Sequence, residues 1–214
     1  MKETIYSIPI NESFEVIDGQ CPVCRLHLKL IDDTLDYTLG PAMMEPDVRQ
    51  RTNALGFCAG HLAELLKRQK RLPLALVLET HIQSLQKSEK HLFAENCYVC
   101  DRVGGFLTSY YSNILHLWRT EEDFRRKWEA QPMICRPHIV ALAQAAPKEL
   151  SKKESSAFSS SLRVKASKYM QNLSESLAVF IRSFDHRFMG EDLGEHKQAV
   201  QATIKFLSGS KGEL

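Results

Sequence analysis

The 214-residue chain is 43% apolar and 25% charged, ordinary values for a globular protein able to bury a sizeable core without help. A formal charge of +2 is too small, by itself, to argue for a nucleic-acid or acidic-membrane partner. The N-terminus lacks the apolar h-region of a signal peptide. The longest uninterrupted apolar run, residues 72–78, contains Pro73 and falls far short of the roughly 20 residues needed to span a bilayer, so the reading is cytoplasmic with no membrane.

In chain order, residues 1–20 read as extended or irregular. Ile5, Ile8 and Ile10 give weak strand character, Pro9 restricts any strand to a short or edge one, and Asp18-Gly19 marks a turn. Cys21-Pro22-Val23-Cys24 leads into a helix over about 22–39, carried by Leu26, Leu28, Leu30, Ile31, Leu35 and Leu39 and stopped by Gly40-Pro41. A short helix follows Pro46 through Val48 and Leu55. Gly56-Phe57 then delivers Cys58-Ala59-Gly60-His61, which opens a helix to about Lys70 with Leu62, Leu65 and Leu66 on one face. Pro73 starts a further helix to about Phe93.

The plan then repeats. Cys97-Tyr98-Val99-Cys100 precedes a helix near 106–118. Thr120 and the acidic Glu121-Glu122-Asp123 read as the start of another, to about Glu129. Pro132-Met133-Ile134 delivers Cys135-Arg136-Pro137-His138 and a helix to about Ala145. The first cysteines and the Glu45-Pro46-Asp47-Val48-Arg49 segment recur at an offset of 76, and the closing Cys and His at 77. So steady an offset argues for two equivalent structural units. Residues 147–161, rich in Ser and Lys, read as a linker. Beyond it, Phe158, Leu162, Ala166, Tyr169, Leu173 and Leu177 step by three and four along a helix ending near Gly190. A last helix follows over about 193–207, and the tail from Ser208 through Gly212 reads as frayed. The fold class is all-α: two repeated metal-stapled helical units, then a long C-terminal helix and a short final one. The boundaries are 1–92, 93–150 and 151–214, with the last segment packed on the first two.

All six cysteines lie in the two copies. Without a secretion signal, such pairs read as metal-binding or redox-active rather than disulfide-forming. CxxC and CxxH each place two donors close enough to chelate one ion, and two such half-sites close a tetrahedral Cys3His shell with no open position, the mark of a structural zinc site. Taken consecutively, Cys21, Cys24, Cys58 and His61 form one site and Cys97, Cys100, Cys135 and His138 the other, giving two zinc ions per chain. A thioredoxin-type CxxC would need a βαβ context and a c-type haem would need CxxCH, neither of which is present; an iron–sulfur cluster stays open.

His27 stands three residues after Cys24, but Val103 replaces it in the second copy, so it reads as a surface or supporting residue rather than a ligand. Asp185-His186-Arg187 reads as a helix end with cations on the dipole, or alternatively as a small anion or acid–base site. His81, His91, His116 and His196 have no partner at metal spacing, and Trp118 and Trp128 read as core. No phosphate loop, nucleophile elbow or His-Glu-x-x-His occurs, so no enzyme is expected.

The segments Tyr6-Ser7-Ile8-Pro9-Ile10-Asn11-Glu12-Ser13-Phe14, Cys21-Pro22-Val23-Cys24, Met43-Met44-Glu45-Pro46-Asp47-Val48-Arg49 and Gly56-Phe57-Cys58-Ala59-Gly60-His61 together resemble a bacterial family of uncharacterised proteins with duplicated CxxC…CxxH motifs. Phe184-Asp185-His186-Arg187 is similar to a motif near that family's end. The resemblance covers most of the chain and implies a cytoplasmic bacterial protein, with no activity attached. The second copy departs from the first, with Tyr98 for Pro22 and Met133-Ile134 for Gly56-Phe57.

The functional expectation is a non-enzymatic zinc-binding protein that serves as an interaction or regulatory module with a protein partner. One alternative is nucleic-acid binding through Lys67, Arg68, Lys70, Arg71, Arg125, Arg126, Lys127 and Arg136. Another is a thiol-based redox sensor or iron–sulfur protein.

Overall fold

The computed structural model describes residues 7–93, 96–188 and 192–209. Among these residues there are eleven α-helices and no strand, so the all-α expectation holds. Three of the expectations lie partly or wholly outside them: the strand character of Ile5, the helix stop at Gly190, and the tail beyond Gly209.

The first helix, α1 (Ser7–Glu15), lies where the sequence reads as extended. Pro9 sits in its first turn, where the missing N–H has no intrahelical partner to lose. Ile10 and Phe14, four apart on one face, are both fully buried, and that pairing overrides the alternating isoleucines. Next come α2 (Pro22–Thr38), α3 (Pro46–Leu55), α4 (Ala59–Lys67) and α5 (Arg71–Lys87). The helix expected to reach Phe93 is interrupted at Ser88, whose hydroxyl accepts from His91 N and caps the short α6 (Glu89–Leu92).

α7 (Tyr98–Thr120) begins inside the second CxxC rather than near Phe106. α8 (Glu122–Ala130) has Glu121 at its N-cap, while the Thr120 hydroxyl donates to His116 O and so finishes α7. α9 (Arg136–Glu149) runs on through Pro147, and α10 (Lys152–Arg182) starts two residues later. The expected linker is therefore helix. Ser151 Oγ accepts from Glu154 N and the Glu154 carboxylate accepts from Ser151 N, a reciprocal capping box. Leu150 and Phe158 are buried, whereas Ser156 and Ser160 face solvent, so the serine-rich composition marks an exposed helix face. A 3-10 turn (Gly194–Gln198) leads into α11 (Ala199–Ser208).

The chain forms two compact units: Met1–Leu26 with Ser109–Leu214, and His27–Thr108. This differs from the consecutive division at 92/93 and 150/151, because the boundaries fall inside α2 and α7. In the discontinuous unit, the N-terminal α1 packs on α8, and α9 packs on α10 and α11. Trp128 is its centre: the ring stacks on Phe14 at 5.9 Å, meets Phe158 at 5.1 Å, and donates from Nε1 to Ser161 Oγ. Trp118 meets the same Phe158 edge-on, so both tryptophans are packing residues as expected.

In the continuous unit, α3 packs on α5. Arg49 Nη2 donates to Leu76 O and Thr80 Oγ1, Thr80 Oγ1 to Asn53 Oδ1, and His81 Nδ1 to Asn53 O. Gly56 ends α3 at φ +58°, where a Cβ would stand 2.5 Å from His81 Nε2. Glycine is required there for both backbone and space.

Candidate metal centres

Two groups of four side chains converge. One is Cys21, Cys24, Cys135 and His138; the other is Cys58, His61, Cys97 and Cys100; in each, one donor atom per residue lies within 4.8 Å of the rest. All eight candidates are therefore gathered into Cys3His sets, but the partition is crosswise. The first CxxC meets the second CxxH, and the second CxxC meets the first CxxH. The consecutive assignment of Cys21 and Cys24 with Cys58 and His61, and of Cys97 and Cys100 with Cys135 and His138, is corrected. Each set lies within one compact unit.

Helix lengths supply the physical reason. After Cys21 and Cys24, the 17 residues of α2 carry the chain about 25 Å along their axis, and the ten residues of α3 can return only about 15 Å. After Cys97 and Cys100, α7 advances about 34 Å and α8 returns about 14 Å. In each copy the helix that follows the CxxC is thus about 10–20 Å longer than the one that leads back to the CxxH.

In the first centre, His138 Nδ1 stands 3.1 Å from Cys135 Sγ, 3.4 Å from Cys24 Sγ and 3.6 Å from Cys21 Sγ, and the Cys24 and Cys135 sulfurs are 3.5 Å apart. In the second, His61 Nδ1 stands 3.2, 3.3 and 3.5 Å from Cys58, Cys97 and Cys100 Sγ. A tetrahedral ion with M–S of about 2.3 Å and M–N of about 2.05 Å sets N···S near 3.6 Å and S···S near 3.8 Å. The N···S distances of both sets, and the Cys24–Cys135 S···S distance of the first, match that spacing to within about half an ångström. The helices explain it: Cys58 and Cys135 are the N-caps of α4 and α9, so each histidine sits in the first turn beside its own cysteine. The Cys135 backbone N–H bonds to the Cys21 thiol, as the Cys58 N–H does to Cys97.

The electrostatics call for a cation. Burial pushes the Cys21 thiol up to about 12, and contacts with Cys21 and Cys24, followed by burial, push Cys135 higher still. Burial, then the neighbouring Cys97, pushes Cys100 to about 12. At Cys97 burial acts upward, but N–H donors from Cys100 and Cys58 outweigh it and lower the pKa. Three sulfurs this close cannot all ionise unless a positive charge sits among them, which a divalent ion would supply. Tyr111, whose ring lies 6.2 Å from His138, is raised to about 12 by burial and then by the nearby thiolates.

The two centres differ in exposure. All four residues of the first are buried, whereas Cys58 and Cys100 of the second are exposed and His61 is half-buried. Sequence reasoning missed the residue responsible. Gly209, at the end of α11, has φ +73° and ψ −177°, and a Cβ there would stand 3.3 Å from Cys24 Sγ and 3.4 Å from Cys135 Sγ. Its backbone lies directly over the first centre. The only sequence signal for this was a Ser-Gly-Ser tail, which read as frayed.

The remaining candidates fall outside both centres. His27 belongs to neither and is buried rather than on the surface. His91 bonds Ser84, and His196 bonds Ser176. Asp185 and Arg187 form a bidentate pair with His186 alongside, and Asp185 Oδ1 also accepts from Arg187 N, so the cluster shapes the turn after α10. Among the basic runs, Lys67 pairs with Glu64, Arg68 with Asp32 and Asp36, Lys70 with Asp36, Arg126 with Asp123, and Lys127 with Glu15 and Asp123. No helix among the described residues is long and apolar enough to cross a membrane.

The profile of one family, described as a family of unknown function, matches the chain twice, over residues 1–96 and 91–213. The first match takes in α1 to α6 and the second α7 to α11, in agreement with the internal repeat. No curated protein and no solved structure matches the chain.

Proposed function

The chain belongs to that family, DUF6062, and we propose that this member is a non-enzymatic cytoplasmic protein with two structural zinc ions, serving as an interaction or regulatory module for a protein partner. The observation that carries the reading is the closed donor set. Three sulfurs and one Nδ1 converge at tetrahedral spacing in each centre, and four protein ligands leave no coordination position for a substrate. Thiolate-rich tetrahedral shells suit zinc, while all-cysteine shells are the commoner iron–sulfur ligands.

The metal would tie the start of α2 to the start of α9, and the start of α4 to the start of α7, reinforcing the backbone hydrogen bonds already made there. The nucleic-acid alternative is weakened by the basic runs, most of whose cations already have carboxylate partners. The test is elemental analysis of the purified chain with an absorption spectrum. Two zinc per chain and no visible band is the expected result. Iron with a visible charge-transfer band, or a metal-free folded chain, would overturn the reading.

A further inference from the structure

We propose that the Cys58–His61–Cys97–Cys100 centre is an oxidation site. Peroxide-class oxidants attack its exposed thiolates and expel its metal, while the Cys21–Cys24–Cys135–His138 centre keeps its own. The inference rests on both centres holding metal. It starts from the repeat itself: the offset of 76 carries Cys24 onto Cys100, and the offset of 77 carries Cys58 onto Cys135. Cys24 and Cys135 are the two sulfurs beneath Gly209. Their equivalents, Cys100 and Cys58, are the two exposed cysteines of the chain.

The third cysteine of each centre, Cys21 or Cys97, is buried in both copies. The difference therefore comes down to a cover present in one unit and missing from the other. α9 is packed under α10 and α11, whereas among the described residues of the first copy only the four-residue α6 follows α5. Its helix α4 buries only Leu65 and leaves Leu62 and Leu66 exposed beside the centre. Thiolate reactivity follows exposure, so this open face is where an oxidant arrives first.

The chemistry balances with hydrogen peroxide as oxidant. The thiolate of Cys58 or Cys100 attacks one peroxide oxygen, the O–O bond breaks, and a sulfenic acid and hydroxide result. A second thiolate of the centre, its sulfur within 4.8 Å, attacks the sulfenic sulfur. An S–S bond forms, the S–O bond breaks and a second hydroxide leaves. The two sulfurs have lost two electrons and the peroxide has gained them. One thiolate and one imidazole remain, too few to close a four-ligand shell, and α4 loses its tether to α7.

The experiment uses the full metal-loaded chain. Metal content is measured first. Hydrogen peroxide is then titrated in with a metallochromic indicator present, and the cysteines are mapped by differential alkylation and mass spectrometry. One ion per chain should leave, with oxidation confined to Cys58, Cys97 and Cys100, and a dithiol reductant with fresh metal should restore it. A Cys58→Ser chain should begin with one ion and release none over the same range. Simultaneous loss of both ions, earlier loss from the covered centre, or retention of both would overturn the oxidation site and leave the metal reading intact. A chain that carries no metal before peroxide is added overturns both.

Discussion

The crosswise pairing makes a prediction that consecutive pairing contradicts outright. Cys24→Ser and Cys135→Ser strike the same centre, although 111 residues separate them; Cys24→Ser and Cys58→Ser strike different centres within one sequence copy. Each single substitution should lower bound metal from two ions per chain to one, because a structural zinc shell needs all four ligands. The Cys24→Ser/Cys135→Ser double should still hold one ion, and the Cys24→Ser/Cys58→Ser double should hold none. Stability should follow the same arithmetic. The first centre is fully buried, so losing its ion leaves desolvated thiols with no cation to hold them together. The second substitution in that centre then removes little more, a large non-additivity between contacting residues, whereas substitutions in separate centres should add to within about 0.5 kcal/mol. The assay is metal per chain after dialysis against a competing chelator, with urea unfolding of each variant. If Cys24→Ser/Cys135→Ser strips both ions and Cys24→Ser/Cys58→Ser only one, the crosswise assignment is wrong.

Two further outcomes follow from the same geometry. Gly209→Ala places a Cβ against two sulfurs in a backbone region open essentially to glycine, so it should cost about 1–3 kcal/mol and speed chelator removal of one ion only; equal acceleration at both centres would sink the covering role of Gly209. The pH dependence should reverse sign with metal. In the metal-free chain, burial raises the Cys21 thiol from 9.0 to about 12, so its stabilisation is complete below pH 9 and is lost as pH climbs toward 12. In the loaded chain the thiolates are held ionised, so stability is lost instead as pH falls and protons displace the ion. Urea midpoints against pH, with and without chelator, check this, and a common slope would refute it.

The eight candidate ligands were legible because their chemistry is local: a CxxC or a CxxH is a potential chelating half-site wherever the fold takes it. Most helices were legible for a similar reason, since apolar residues at three- and four-residue steps need only a core to face. α1 was not, because its only large buried apolar residues are Ile10 and Phe14, and the ring partners of Phe14, Phe124 and Trp128, lie more than a hundred residues on. The start of α10 was not, because serine reads as linker unless one knows that Phe158 packs between Trp118 and Trp128.

The pairing of half-sites was illegible for a deeper reason. A constant offset between copies is satisfied equally by two self-contained sites and by two exchanged ones, because swapping equivalent partners leaves every spacing unchanged. The symmetry that revealed the duplication therefore carried no information about which half-sites meet. The helix lengths, 17 and 23 residues after each CxxC against ten and nine before each CxxH, favour the exchanged arrangement. The exchange also has a consequence for the protein. Neither copy closes a candidate centre alone, and Gly209 at the end of α11 lies against two sulfurs of one centre, while the equivalent two cysteines of the other are exposed.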